Sequence, residues 1–185
     1  MRRTLTAAVF VVAAMLGSAA AVTAAAAQPY CGITWGSLPK VDQTFSSAGL
    51  VDVRTGRHDC YDRVVFDFNG PATGYIVQYA DHVYSEGRGE QLDVAGGAQL
   101  DVVLLEPTHD IETGAQTLVG TDRSGAHEAN VTGYRTLRDV VDGGSFEGYT
   151  TFGVGVRARL PFRVFALAGP GSHSRIVLDV AHRWS

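Results

Sequence analysis

Positive charge is scarce in this chain. Its 15 Lys and Arg stand against 19 Asp and Glu, a formal charge of −4. A surface that grips duplex nucleic acid or an anionic membrane needs a basic patch, and none is visible, so neither is expected as a partner. Cysteine is scarcer still: Cys31 and Cys60 are the only two. Their separation of about thirty residues matches no Cys-x-x-Cys metal or redox motif. The six histidines never fall in the His-Glu-x-x-His or His-x-x-Glu-His spacing of a zinc hydrolase. No Gly-x-Ser-x-Gly elbow presents a nucleophilic serine. These absences remove the familiar hydrolase signatures, and no metal, cofactor or catalytic residue is assigned. Carboxylates such as Asp101 and Glu147 remain available for glycosidic chemistry, but nothing singles them out.

The chain starts with the pattern of an export signal. Arg2 and Arg3 precede an apolar run over residues 5–16, and small residues lead to Ala25-Ala26-Ala27. A charged n-region, an apolar h-region and an Ala-x-Ala site predict cleavage after Ala27. The apolar stretch is shorter than the ~20 residues of a spanning helix, so no transmembrane span is expected after cleavage. Gln28-Pro29-Tyr30 before Cys31 lack the small and aliphatic character of a lipid-attachment site. Losing Arg2 and Arg3 leaves 13 basic against 19 acidic residues, a net charge of −6. In an exported chain two cysteines favour a disulfide, with two free thiols or a metal pair as the alternatives. A Cys31–Cys60 bridge would stabilise the fold by roughly 3–4 kcal/mol in the chain-entropy picture. The expected organisation is a signal over 1–27, an arm over 28–49 tied by the disulfide, and one domain over 50–185.

Past the signal, short apolar runs alternate with glycine turns. In Arg63-Val64-Val65-Phe66-Asp67-Phe68 the residues Val64, Phe66 and Phe68 point one way, and Arg63, Val65 and Asp67 the other. Asn69-Gly70-Pro71 stops the run, and residues 74–79 read as its hairpin return, continued by His82-Val83-Tyr84. Residues 85–89 read as an exposed polar turn. Val102-Val103-Leu104-Leu105 is too short for a helix and predicts a central strand covered on both faces. Residues 108–128 form the largest loop candidate. Residues 134–141 fit either a helical turn or a strand. Phe152, Val154 and Val156 alternate with Thr151, Gly153 and Gly155, and residues 162–167 and 174–180 give two further strands. The predicted class is all-β: an antiparallel β-sandwich or distorted barrel of about eight short strands, with at most one short helix.

The word Arg-x-Val-x-Asp occurs twice, at Arg63–Asp67 and Arg175–Asp179. On one reading Arg63, Asp67, Arg175 and Asp179 line a ligand-facing sheet surface, where arginine takes carboxylates or lactyl groups bidentately. On the other they pair with neighbouring strands and keep an outer face soluble. Tyr134, Phe146 and Tyr149 lie near glycine turns, where aromatic rings stack on sugars or close the edge of a core. His109, Asp110, His127 and Glu128 share the long loop. Their convergence in one pocket would point to a hydrolase of envelope glycans or peptides.

The motif Val53-Arg54-x-Gly56-x-His58-x-Cys60-Tyr61-Asp62-Arg63-Val64-Val65-Phe66-Asp67-Phe68 resembles the opening of the AMIN-like domain of exported actinobacterial proteins. Gly74-Tyr75-x-Val77-x-Tyr79, Phe146-Glu147-Gly148 leading to Phe152-Gly153-Val154-Gly155, and Pro161-Phe162-Arg163-Val164 leading to Arg175-Ile176-Val177-Leu178-Asp179-Val180-Ala181-His182 agree with it. The resemblance covers residues 50–182. It implies a β-sandwich related to the AMIN domain of cell-wall amidases, non-catalytic, outside the cytoplasm. The implied partner is peptidoglycan or another cell-envelope component, with an envelope protein docking at a strand edge as the alternative.

Overall fold

The computed structural model describes residues 30–119 and 125–184. The predicted signal, residues 1–27, lies outside them.

Among the described residues nine strands form: β1 (Lys40–Asp42), β2 (Leu50–Arg57), β3 (Tyr61–Phe68), β4 (Tyr75–Ala80), β5 (Ala98–Leu104), β6 (Leu137–Phe146), β7 (Tyr149–Val156), β8 (Phe162–Ala168) and β9 (Ser174–Ala181). They make two antiparallel sheets, one of five strands in the order β1-β4-β5-β7-β6 and one of four in the order β2-β3-β9-β8. The sheets stack as an open sandwich and do not close into a barrel. Period-two alternation drives this arrangement, because each strand turns one apolar row inward. Val64, Phe66 and Phe68 of β3, Ile176, Leu178 and Val180 of β9, and Phe152, Val154 and Val156 of β7 meet in one core. Phe66 and Phe152, one from each sheet, stand 5.1 Å apart at the ring centroids. Of residues 134–141, 137–141 are strand and 134–136 lead into it: β6 starts at Leu137 and turns into β7 through Glu147-Gly148. Both turn residues have positive φ, 50° and 85°, as a tight hairpin turn requires.

Three expectations are corrected. First, β3 and β4 are not a hairpin. β3 pairs with β2 and β9, while β4 pairs with β1 and β5 in the other sheet. The 69–74 segment carries the chain across, so the inward tyrosines of β4 reach over the core. Tyr75 Oη donates to Val164 O and Tyr79 Oη to Leu160 O, both near β8. Second, β5 is central, but only its Leu100, Val102 and Leu104 row is fully buried; Asp101 and Val103 on the other face are half-covered. Third, the turn expected over 85–89 is present at 86–88, with 87–89 exposed, but Ser85 at its start is buried, and its Oγ accepts from Glu90 N.

That last difference follows from β7. Val83, Leu92 and Val94 pack with Val141 as a second small cluster on the far side of the five-stranded sheet. The glycines of β7 make the seat. A Cβ on Gly155 would lie 1.8 Å from Ala95 O, so only glycine lets the 81–96 segment approach the sheet.

The N-terminal arm staples both sheets. Cys31 and Cys60 are disulfide-bonded, which ties it to the start of β3. Nine residues later its β1 becomes an edge of the five-stranded sheet.

Candidate functional site

The outer face of the four-stranded sheet collects the charges that the sequence repeats. β3 and β9 run antiparallel in a register that sets Arg63 opposite Asp179 and Asp67 opposite Arg175. The two copies of Arg-x-Val-x-Asp thus lie across from each other, head to tail. Arg163 of β8 joins the Arg63–Asp179 row, and Arg54 of β2 lies opposite Val65.

These groups are mostly paired. Arg63 meets Asp179 with both prongs, Nε–Oδ1 at 2.6 Å and Nη2–Oδ2 at 2.9 Å. Arg163 Nε donates to the same carboxylate at 2.9 Å. Arg54 grips Asp67 through Nε–Oδ2 at 2.6 Å and Nη2–Oδ1 at 2.9 Å. The Asp67 bond raises the pKa of Arg54, and the Asp179 bond raises that of Arg63. Aromatic rings fill in around the upper row. Arg163 lies 4.4 Å over Trp35 and 4.9 Å over Phe165, and Trp35 packs on Tyr61 at 5.6 Å. His58 stacks on the same Tyr61 at 4.5 Å.

Arg175 differs. Among the described residues no carboxylate or carbonyl bonds its guanidinium, and its Nε is shut off from solvent without a partner. It borders a cleft of about 210 Å³ together with Arg54, His58 and Arg63.

The four repeat residues therefore share one face, and only Arg175 is left without a partner there. The two predicted tyrosines are elsewhere. Tyr134 sits against β2, its Oη 2.9 Å from Thr55 Oγ1 and its ring against the core. Tyr149 points away from the core on the other sheet and meets Phe45 edge-on at 5.1 Å. Phe45 and Phe146 are both more than half exposed there.

The four residues of the long loop do not converge. Asp110 spends its Oδ1 on Glu112 N, Thr113 N and Thr113 Oγ1, bonds that lower its pKa. His109 bridges to Gln116 in the same turn. His127 bridges instead to Val141 and bonds Asp139, Nδ1–Oδ1 2.7 Å, which raises the His127 pKa. The cavity beside His127 is lined by neither His109, Asp110 nor Glu128. Among the described residues no three His, Cys, Asp or Glu are placed to hold a metal ion.

Sequence reasoning missed Arg54, Arg163 and Trp35. Extending the in-out alternation of β3 to β2 and β8 would have put both arginines on the same face. It also missed the pair that anchors this sheet from within. Asp62, buried, accepts from Thr136 N at 2.5 Å, Leu137 N at 3.1 Å and His182 Nε2 at 3.1 Å.

A family model for the AMIN-like domain matches residues 48–182. No curated protein and no solved structure matches the chain.

Proposed function

Because the chain belongs to the AMIN-like domain family, whose members are in general non-catalytic modules associated with peptidoglycan, we propose that it is an exported module that holds to peptidoglycan through the outer face of its four-stranded sheet. The family match carries this reading, since it spans both sheets and nearly every residue of the charged face. The face suits the task physically. Guanidinium forks pre-oriented by Asp67 and Asp179 present their remaining N–H edges without loss of side-chain freedom. Trp35 and Tyr61 lie beside them as flat apolar surfaces. The disulfide supports a location outside the cytoplasm, where such bonds persist, and the predicted signal over 1–27 supplies the route.

The test is co-sedimentation. Protein purified from cells expressing the full chain, with its disulfide intact, is spun with insoluble peptidoglycan sacculi. Albumin is the control, and the supernatant is assayed for released fragments. Saturable pelleting without release is the expected result. Released fragments would make the protein a hydrolase. Neither pelleting nor release would remove peptidoglycan as the ligand and leave a protein of the envelope as the partner.

A further inference from the structure

The pairing on the outer face leaves a remainder. Arg54, Arg63, Arg163 and Arg175 share the face with Asp67 and Asp179, and Asp52 stands exposed on the β2 edge beside Asp67. Asp67 bonds Arg54 through both oxygens, and Asp179 gives both of its oxygens to Arg63 and shares Oδ2 with Arg163. Arg175 lies directly across from Asp67 in the register, yet Arg54 has already occupied that carboxylate. A guanidinium half-sunk in a sheet, with its Nε out of reach of water and of any acceptor, is held at a cost. A ligand that engages the two terminal nitrogens offsets that cost.

The surroundings specify that ligand. The cleft at Arg175 is bordered by Arg54, His58 and Arg63 and, among the described residues, by no carboxylate. Two of these arginines are already neutralised, so the net charge to be met is close to one. A planar group with two oxygens fits the two terminal nitrogens of a guanidinium end-on. A second cavity of about 570 Å³ begins at Leu167, which borders both spaces, and its wall is mainly apolar: Pro71, Ala72, Ala166 and Ala168. Leu167 is the register partner of Arg175 and stands on its face, whereas Ala166 and Ala168 alternate to the other face of β8, so of that wall only Leu167 adjoins the charge.

We propose that Arg175 and the cleft beside it bind the terminal α-carboxylate of a peptide, with the small aliphatic residue that carries it set against Leu167. This rests on the reading of the outer face as the ligand-binding face, and it narrows that reading to one subsite with one chemistry.

The probe is N-acetyl-alanyl-alanine as the free acid, titrated into the nitrogen-labelled full chain while the Arg175 Nε–H resonance is followed. Its C-terminal amide and inorganic phosphate are run alongside. The free acid is expected to shift that resonance saturably, with the amide and phosphate at least tenfold weaker. Arg175→Gln, which breaks no bond in the free protein, is expected to lose at least tenfold in affinity. Arg175→Lys, which keeps the charge and loses the planar fork, should fall between the two. Equal binding of acid and amide overturns the proposal, and that comparison needs no variant. Phosphate binding as tightly as the acid overturns it too, as does unchanged affinity in Arg175→Gln. Sacculi that pellet the protein while the peptide acid does not bind overturn the subsite and leave the wider function standing. Peptide-acid binding without pelleting supports the subsite and removes peptidoglycan as its source.

Discussion

Glu106→Gln removes an ionisable group from a place where its charge is expensive. Glu106 is fully buried just beyond β5, where its Oε1 accepts from Gly74 N at 3.1 Å. Its Oε2 is equally enclosed and has no partner. Burial pushes the pKa from 4.5 to about 7, against smaller opposing hydrogen bonds from Gly74, Thr73, Leu105 and Ser46. A raised carboxyl pKa means the folded protein keeps a proton that the unfolded chain has released. Stability therefore falls as pH rises from about 4.5 to about 7, and levels off above. At about 1.4 kcal/mol per pH unit the full loss is roughly 3 kcal/mol, of which about 2–3 kcal/mol falls between pH ~5 and pH ~8. For a domain of this size that is a drop in Tm of about 5–10 °C. Thermal unfolding followed by circular dichroism at both pH values measures it. Asp101, raised mainly by burial, and His127, raised by Asp139, add losses of the same sign to wild type and variant alike. The difference between the two proteins isolates Glu106. Glu106→Gln is expected to be flatter in pH by that amount. Parallel profiles, agreeing within about 2 °C, would refute the claim that this carboxyl is neutral in the fold.

Three further outcomes follow from the contacts. Reducing the Cys31–Cys60 bridge, which closes a separation of 29 residues, should cost roughly 3–4 kcal/mol by urea unfolding with and without reductant. Asp62→Ala strands two buried backbone N–H groups and His182, so its urea midpoint should fall by the equivalent of about 3–5 kcal/mol, whereas Asp67→Ala at the half-exposed Arg54 pair should stay within about 1 kcal/mol. Gly155→Ala places a methyl against Ala95 O, and a loss of about 1–3 kcal/mol or more is expected, with the 81–96 amides exchanging faster in hydrogen-exchange measurements.

Alternation carried the sequence reading a long way. The inward rows of β3, β7 and β9 could be named from spacing alone, because a half-buried strand must repeat every second residue. Partner choice could not. Asn69-Gly70-Pro71 has the chemistry of a hairpin end, yet β3 takes β9, more than a hundred residues away, while Tyr75 and Tyr79 of β4 reach across the core toward β8. The same limit applies at the site. That Arg63 and Arg175 share a face follows from the pleat. That Asp67 turns to Arg54 rather than to Arg175 depends on which strand lies at its side. Glycines 153 and 155 read as the plain face of a strand, while their use is to admit another segment, and a missing side chain leaves no mark of what it admits. Residues 108–119 read as a loop because their order comes from polar bonds such as Thr117 Oγ1 to Leu50 O, which have no period.

The head-to-tail match of β3 with β9 also bears on assembly. Only one register sets both Arg63 against Asp179 and Asp67 against Arg175, so a two-residue slip that keeps the same face inward forfeits the Arg63–Asp179 pair and both alignments. Yet each word is its own antiparallel complement: a second β3 would answer Arg63 with Asp67 and Asp67 with Arg63. Two folding chains thus carry a code for each other as good as the one within each chain. In the finished molecule β3 and β9 are interior strands, flanked by β2 and β8, so neither can offer its edge to a copy. β2 and β8 are in this sense guards against dimeric misfolding. Refolding yield should decline as protein concentration rises, and more steeply in variants that loosen β2 or β8 than in variants that loosen β1.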